Sequence, residues 1–228
     1  MKKRYILGNW KANKTMEEAR AWITTYSEAQ PPSVSESTVI IMCPAFHHLP
    51  LFEKNSPLYA LGAQDISSFG NGAFTGEVTG AMMKGIAAYV MVGHSERRKH
   101  FGETDEIVAE KAKQAIAGAI VPVVCVSDVG QVSALKTNNP EFEKTGLLLY
   151  EPLFAIGTGA SDSPENANKT AEAIHAVMPD VPILYGGSVT PENVLGFVQQ
   201  PHLSGVGVGG ASLDAKKFSE LVRIAVSS

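Results

Sequence analysis

The sequence predicts an α/β fold of eight strand–helix units, a count that suits a closed (β/α)8 barrel of parallel strands ringed by helices. On pattern alone an open doubly wound sheet is the alternative. Three observations carry this reading. Short β-rich runs alternate with helical stretches along all 228 residues. Most of those runs are continuously apolar rather than alternating, as in a parallel strand buried on both faces. No linker, low-complexity tract, composition shift or sequence repeat divides the chain, so residues 1–228 are expected to form a single domain.

The strand candidates, in order, are Tyr5–Asn9, Thr38–Cys43, Tyr59–Gln64, Tyr89–Gly93, Val121–Val126, Gly146–Glu151, Ile183–Gly186 and Gly205–Val208. Helical stretches fall between them. Thr15-Met16-Glu17-Glu18 reads as a capping box opening a helix towards Ala29. Glu103 to Ala117 carries Ile107, Val108, Ala112, Ala115 and Ile116 at helical spacing, with acids early and lysines later. Asp128 to Asn139 offers only a faint pattern of Val129, Val132 and Leu135. Ser163-Pro164 and Thr190-Pro191 each place a capping residue before a proline suited to the first helical position. Asp214 to Val226 closes the chain as an amphipathic helix.

Composition narrows the function. An apolar content of 44% with 18% charged residues is that of a folded globular chain. The formal net charge of −4 lacks the basic excess that nucleic-acid or membrane binding favours, but a small anion can still be held by backbone amides. Cys43 and Cys125 end apolar runs, so buried thiols in a reducing cytosol are expected rather than a disulfide. After the basic Met1-Lys2-Lys3-Arg4, the apolar run Tyr5-Ile6-Leu7 is too short for a signal peptide, and no apolar run approaches the ~18–20 residues of a membrane helix. A cytoplasmic location follows as the expectation.

In a barrel, chemistry gathers at the C-terminal ends of strands. Those ends hold Asn9 and Lys11, His94 and Glu96, Glu151, Gly186 to Ser188, and Gly209-Gly210. Glu151 is placed to act as a general base; the plainer reading is a salt-bridged carboxylate. His94 precedes a helix start, where the backbone disfavours imidazolium and a neutral ring can polarise a carbonyl; the plainer reading is a hydrogen-bonded core histidine. Lys11 is suited to neutralising a phosphate or oxyanion, or is a solvated loop lysine. Glycine-rich turns at Gly157-Thr158-Gly159, Gly186-Gly187-Ser188 and Gly209-Gly210-Ala211-Ser212 let amides approach a phosphate, and two of them follow the last two strands.

Two motifs mislead. Gly205-Val206-Gly207-Val208-Gly209-Gly210 satisfies the dinucleotide pattern, but only 18 residues follow it, too few for the next strand of a βαβ unit. His47-His48 are adjacent, which does not place two rings on one metal. With no P-loop, zinc-ligand or serine-nucleophile motif, no cofactor and no metal are expected.

Several long segments resemble the triosephosphate isomerase family: Gly8-Asn9-Trp10-Lys11, Gly72 to Glu77, Gly93-His94-Ser95-Glu96-Arg97-Arg98, Tyr150-Glu151-Pro152 through Gly159, Tyr185-Gly186-Gly187-Ser188-Val189, and Val208 to Leu213. They come in the family's order and span essentially the whole chain. The resemblance implies a TIM barrel that interconverts dihydroxyacetone phosphate and glyceraldehyde 3-phosphate. It implies Glu151 as the base, His94 as the neutral electrophile, and Lys11 balancing substrate charge. Asn9 orients the carbonyl and enediolate oxygens, and Glu96 supports Lys11. Gly157, Ser188, Gly209 and Gly210 supply amides to the phosphate, and Pro152 to Ala160 forms a lid. The family is itself a standard worked case of a glutamate base beside a neutral histidine, so that scheme comes with the resemblance. A homodimer is expected because the long loop from Asp65 to Gly80 carries Phe69 and Phe74, an apolar liability in a monomer. By resemblance this loop would lie beside the partner's active site, with Thr75 bracing Asn9 and Lys11.

The chain departs from the family in being shorter, between Cys125 and Tyr150 and between Gly159 and Tyr185. Val126-Ser127-Asp128 stands where Gly-Glu is usual after Cys125, and Leu153-Phe154 where the lid has Val-Trp. A sugar-phosphate epimerase would keep the phosphate turns but need not have Lys11, His94 and Glu151 together, and a non-catalytic barrel predicts at least one of the three replaced, which none is.

Overall fold

The computed structural model describes residues 3–53, 55–155 and 162–227. Its strands are β1 (Arg4–Asn9), β2 (Thr38–Cys43), β3 (Ala60–Ala63), β4 (Tyr89–Val92), β5 (Val121–Val126), β6 (Leu147–Tyr150), β7 (Ile183–Gly186) and β8 (Gly205–Val208). Each pairs in parallel with the next, and β8 pairs back onto β1, so the sheet closes and the open alternative falls away.

The continuous apolar runs follow from this closure. Successive side chains on a strand point to opposite faces. Tyr5 and Leu7 of β1 pack inside the barrel with Ile41, Cys43, Cys125 and Leu149. The intervening Ile6, with Ile40, Met42, Val124 and Leu148, packs in the outer layer beneath the helices. Both faces are buried, so both sets are apolar. Cys43 and Cys125 are buried free thiols, as their positions predict.

The helices are α1 (Met16–Glu28), α2 (Gly80–Met83), α3 (Ser95–Phe101), α4 (Asp105–Ala117), α5 (Val129–Asn138), α6 (Phe142–Thr145), α7 (Pro164–Val177), α8 (Val194–Val198) and α9 (Ala215–Val226). The capping box of α1 forms in full: the Thr15 hydroxyl accepts the Glu18 N–H, and the Glu18 carboxylate accepts the Thr15 N–H. Ser163 caps α7 with Pro164 at its first turn, and Asp214 caps α9. The faint pattern after β5 is a real helix, capped by Asp128 and anchored by buried Val132 and Leu135. Among the described residues no helix is long and apolar enough to cross a membrane.

Several boundaries differ from expectation. The third and sixth strands are shorter than their apolar runs, which leaves Gln64 and Glu151 just beyond the strand ends. The helix expected from Glu103 starts at Asp105, because Thr104 supplies the cap while Glu103 turns inward to Arg97 and Lys111. Thr190-Pro191 opens a turn rather than the helix. The Thr190 carbonyl accepts from both Asn193 and Val194, and Asn193 Oδ1 accepts the Thr190 N–H, so α8 begins at Val194.

Candidate active site

The site is assembled at the C-terminal ends of β1, β4, β6, β7 and β8. β1 delivers Asn9, whose Oδ1 accepts the Lys11 N–H at 2.9 Å. Lys11 sits in the left-handed region with φ of 52°, and its carbonyl accepts from Gln64 Nε2 at 2.9 Å. That conformation is unfavourable for a lysine and is held by these two bonds. It sends the Lys11 side chain to Glu96, with Nζ 2.5 Å from Oε1.

β4 ends in Gly93, with φ of 70°, where an added Cβ would lie 2.7 Å from a Val108 methyl. Only glycine fits there, and it turns the chain so that His94 caps α3. The His94 Nδ1 accepts the Glu96 N–H at 3.2 Å. A ring nitrogen that accepts an N–H bears no proton, so the ring is assigned as neutral with its proton on Nε2. That Nε2 lies 3.0 Å from Glu151 Oε1. The other Glu151 oxygen accepts the Ser95 N–H at 3.1 Å, and the Glu151 N–H donates to the Val126 carbonyl at 2.8 Å. His94 and Glu151 are both buried.

These side chains line a cavity of about 340 Å3 together with the turns that follow β7 and β8. Asn9, Lys11, His94, Glu151, Ser188, Gly209 and Gly210 all face it. Glu96 stands behind Lys11. Burial works against its charge, but the Lys11 hydrogen bond and charge prevail and hold its carboxyl below the usual range. Burial pushes the Cys125 thiol well above its ordinary value, with the neighbouring Glu151 charge adding to this. Gly157 lies outside the described residues. Phe74 and Thr75 do not line the cavity; they sit on an exposed loop, where Phe74 stacks on Phe69 with ring centroids 4.3 Å apart.

Three supports escape sequence reasoning as site residues. Gln64 Nε2 also donates to the Cys43 carbonyl at 2.9 Å, tying β2 and the Lys11 turn together. The Ser212 hydroxyl donates to the Gly209 and Asn9 carbonyls, joining the glycine-rich turn after β8 to β1. Arg97 and Lys111 both contact Asp65 and Glu103, which ties α3 and α4 to the loop after β3. Gln64 at a strand end and Ser212 inside a glycine-rich turn were the available signals; Arg97 reads in sequence as a structural ion-pair partner, but nothing there marks Asp65, Glu103 and Lys111 as its cluster.

The geometry defines a closed parallel barrel with a buried carboxylate–imidazole pair and two glycine-rich turns around one cavity. Residues 4–225 match the family described as triosephosphate isomerase. A triosephosphate isomerase of Thermus thermophilus is 37% identical over 99% of this chain and 100% of its own length. One from Mycoplasmopsis pulmonis is 39% identical over 97% and 98%, and one from Trichormus variabilis 38% identical over 97% and 99%. The chain belongs to the triosephosphate isomerase family and is an isomerase.

Proposed function

We propose that Glu151, His94 and Lys11 carry out the interconversion of dihydroxyacetone phosphate and D-glyceraldehyde 3-phosphate, a step of glycolysis and gluconeogenesis. The reaction moves a proton between the two carbons flanking a C–O group. It needs a base, a hydrogen-bond donor to the oxygen, and a grip on the remote phosphate. Glu151 removes the proton from the carbon beside the carbonyl and returns it to the other carbon. His94 donates its Nε2–H to the oxygen as charge develops there. Lys11 and Asn9 stabilise the substrate and enediolate oxygens, and Glu96 keeps Lys11 directed at them. The amides around Ser188, Gly209 and Gly210 hold the phosphate. Gly157 joins them by resemblance alone.

The observation that carries this reading is the pairing of His94 Nε2 and Glu151 Oε1 at 3.0 Å within the cavity that the two glycine turns line. A base and an electrophile for one carbonyl must lie within hydrogen-bond reach of the same few atoms. In this state the Glu151 oxygens are engaged by Ser95 and His94, so the carboxylate must exchange those bonds for the substrate carbon. The test is turnover of Glu151→Gln, measured with a coupled dehydrogenase. A loss of at least about a hundredfold is expected for removal of a general base. A variant within a few-fold of wild type would overturn the assignment.

The working unit in this reading is one barrel domain, paired as a homodimer in the cytosol. The exposed Phe69–Phe74 stack on the loop after β3 supports the pairing. The buried free thiols Cys43 and Cys125 support a reducing compartment.

A further inference from the structure

Away from the active site, two histidines meet on the outside of the barrel. His175 lies in the last turn of α7 and His202 in the turn that leads into β8, and their Nδ1 atoms are 3.3 Å apart. The rings meet edge to face, with centroids 5.5 Å apart and planes at 62°. Both residues are half-buried.

We propose that His175 and His202 form a two-histidine chelate for a divalent transition metal, with Zn2+ the ion that the geometry fits best. Two nitrogens each ~2.0–2.1 Å from a tetrahedral zinc ion stand about 3.3 Å apart. The observed separation is 3.3 Å, which matches that bite, so only small ring rotations are asked of the pair. An octahedral or square-planar ion with a right-angled bite at similar bond lengths would draw the nitrogens to within about 2.9 Å.

The surroundings prepare the pair. His175 Nε2 lies 3.2 Å from the Val181 carbonyl oxygen. A carbonyl only accepts, so Nε2 bears the proton and the neutral ring turns the lone pair of Nδ1 towards His202. A backbone carbonyl on the far nitrogen is the arrangement that orients metal-bound imidazoles and makes them better donors. His202 is placed independently, since its N–H donates to Asn168 Oδ1 of α7 at 3.0 Å. In the metal-free pair the proton between the rings belongs to His202 Nδ1. On metal binding His202 would carry its proton on Nε2, which frees its Nδ1 lone pair for the ion. Among the described residues no cluster of three or more His, Cys, Asp or Glu side chains forms here, so the pair supplies two ligands and the ion's remaining positions would fall to solvent. The site is therefore a labile one. The ion would staple the end of α7 to the turn before β8, whose far end carries Gly209 and Gly210.

The competing reading is a hydrogen-bonded imidazole pair that takes no metal. Zn2+ titration of the metal-free full chain separates the two. The wild type is expected to bind one equivalent by calorimetry and to melt at higher temperature with the ion. His202→Asn and His175→Gln should each weaken binding by at least about tenfold, the lower end of what disrupting a metal site costs, and lose the melting shift. Isomerase activity of both variants should match wild type, since neither residue lines the active-site cavity. In wild-type protein the imidazole 15N signals of His175 and His202 should move on adding Zn2+, a readout that needs no variant. No binding, binding retained in both variants, or 15N shifts at His94 without shifts at His175 and His202 would overturn the site.

Discussion

Replacing Glu96 by glutamine removes one charge beside Lys11 and leaves the main chain of α3 intact. The variant loses the ion pair in which Nζ lies 2.5 Å from Oε1, between side chains 29% and 43% exposed. Pairs that open to water contribute about 0–1 kcal/mol. For a chain of this length that amounts to a melting shift of no more than about 2–4 °C. The backbone of Lys11 should stay where it is, because Asn9 Oδ1 and Gln64 Nε2 hold its N–H and carbonyl at 2.9 Å each. The Glu96 N–H that fixes the His94 tautomer is main chain and is also retained. What changes is the aim of the Lys11 ammonium. A displacement of about 1 Å at a reacting centre can cost on the order of a hundredfold in rate. Glu96→Gln should therefore lose tens- to a hundredfold in kcat/KM while melting almost normally. The coupled dehydrogenase assay and a thermal melt on the same preparation decide it. Activity within about threefold of wild type would refute the positioning role by the same scale. An activity loss matched by a melting drop far beyond the few degrees expected for an exposed pair would make Glu96 a stability residue instead.

Other perturbations test separate parts. In Gly146→Ala the new Cβ would lie 2.1–2.5 Å from ring atoms of the fully buried Phe142, so about 1–3 kcal/mol should be lost in urea melts, and Phe142→Leu in the same chain should recover part of it; no loss would mean that α6 yields freely. Burial, aided by the neighbouring His47, holds the His48 imidazole below its ordinary value, so the folded chain takes up this proton less readily than the unfolded chain. Its stabilising contribution is thus intact above about pH 6.5 and is lost as pH falls below that; His48→Leu should flatten the stability–pH slope between pH 7.5 and 5 by up to about 1.4 kcal/mol per pH unit, and equal slopes would contradict the assignment. Shortening residues 69–75 should give a monomer with most activity lost, read by sedimentation and kinetics, and a fully active monomer would count against the dimer.

The strands were legible because barrel closure buries both faces, which writes each strand as an unbroken apolar run. Their ends were less so. Gly93 extends the run Tyr89–Val92 in sequence, yet its φ of 70° ends the strand and turns the chain into α3. Glu103 reads as a helix-opening acid but is drawn inward by Lys111, a pull set by tertiary packing rather than local spacing. Lys11, His94 and Glu151 were legible as residues of the right type at strand ends. Their convergence was not, because it depends on which ends closure brings together. Gln64 and Ser212 act through main-chain carbonyls, and a lone polar residue in a turn carries no pattern that marks such a role. Of the expected lid, Pro152 to Ala160, Leu153–Ala155 form a single 3-10 turn, and residues 156–160 lie outside those described.

The transfer of a carbon-bound proton through Glu151 is tested most directly by isotope exchange. Wild-type enzyme turning over dihydroxyacetone phosphate in D2O should place deuterium on the carbons that flank the moving hydrogen, followed by proton NMR of the substrate pool. In Glu151→Gln the exchange should fall by at least about a hundredfold, as for loss of a general base, while inorganic phosphate still binds to the glycine turns. Exchange in that variant at a rate near wild type would show that another group moves the proton and would contradict the assignment of Glu151.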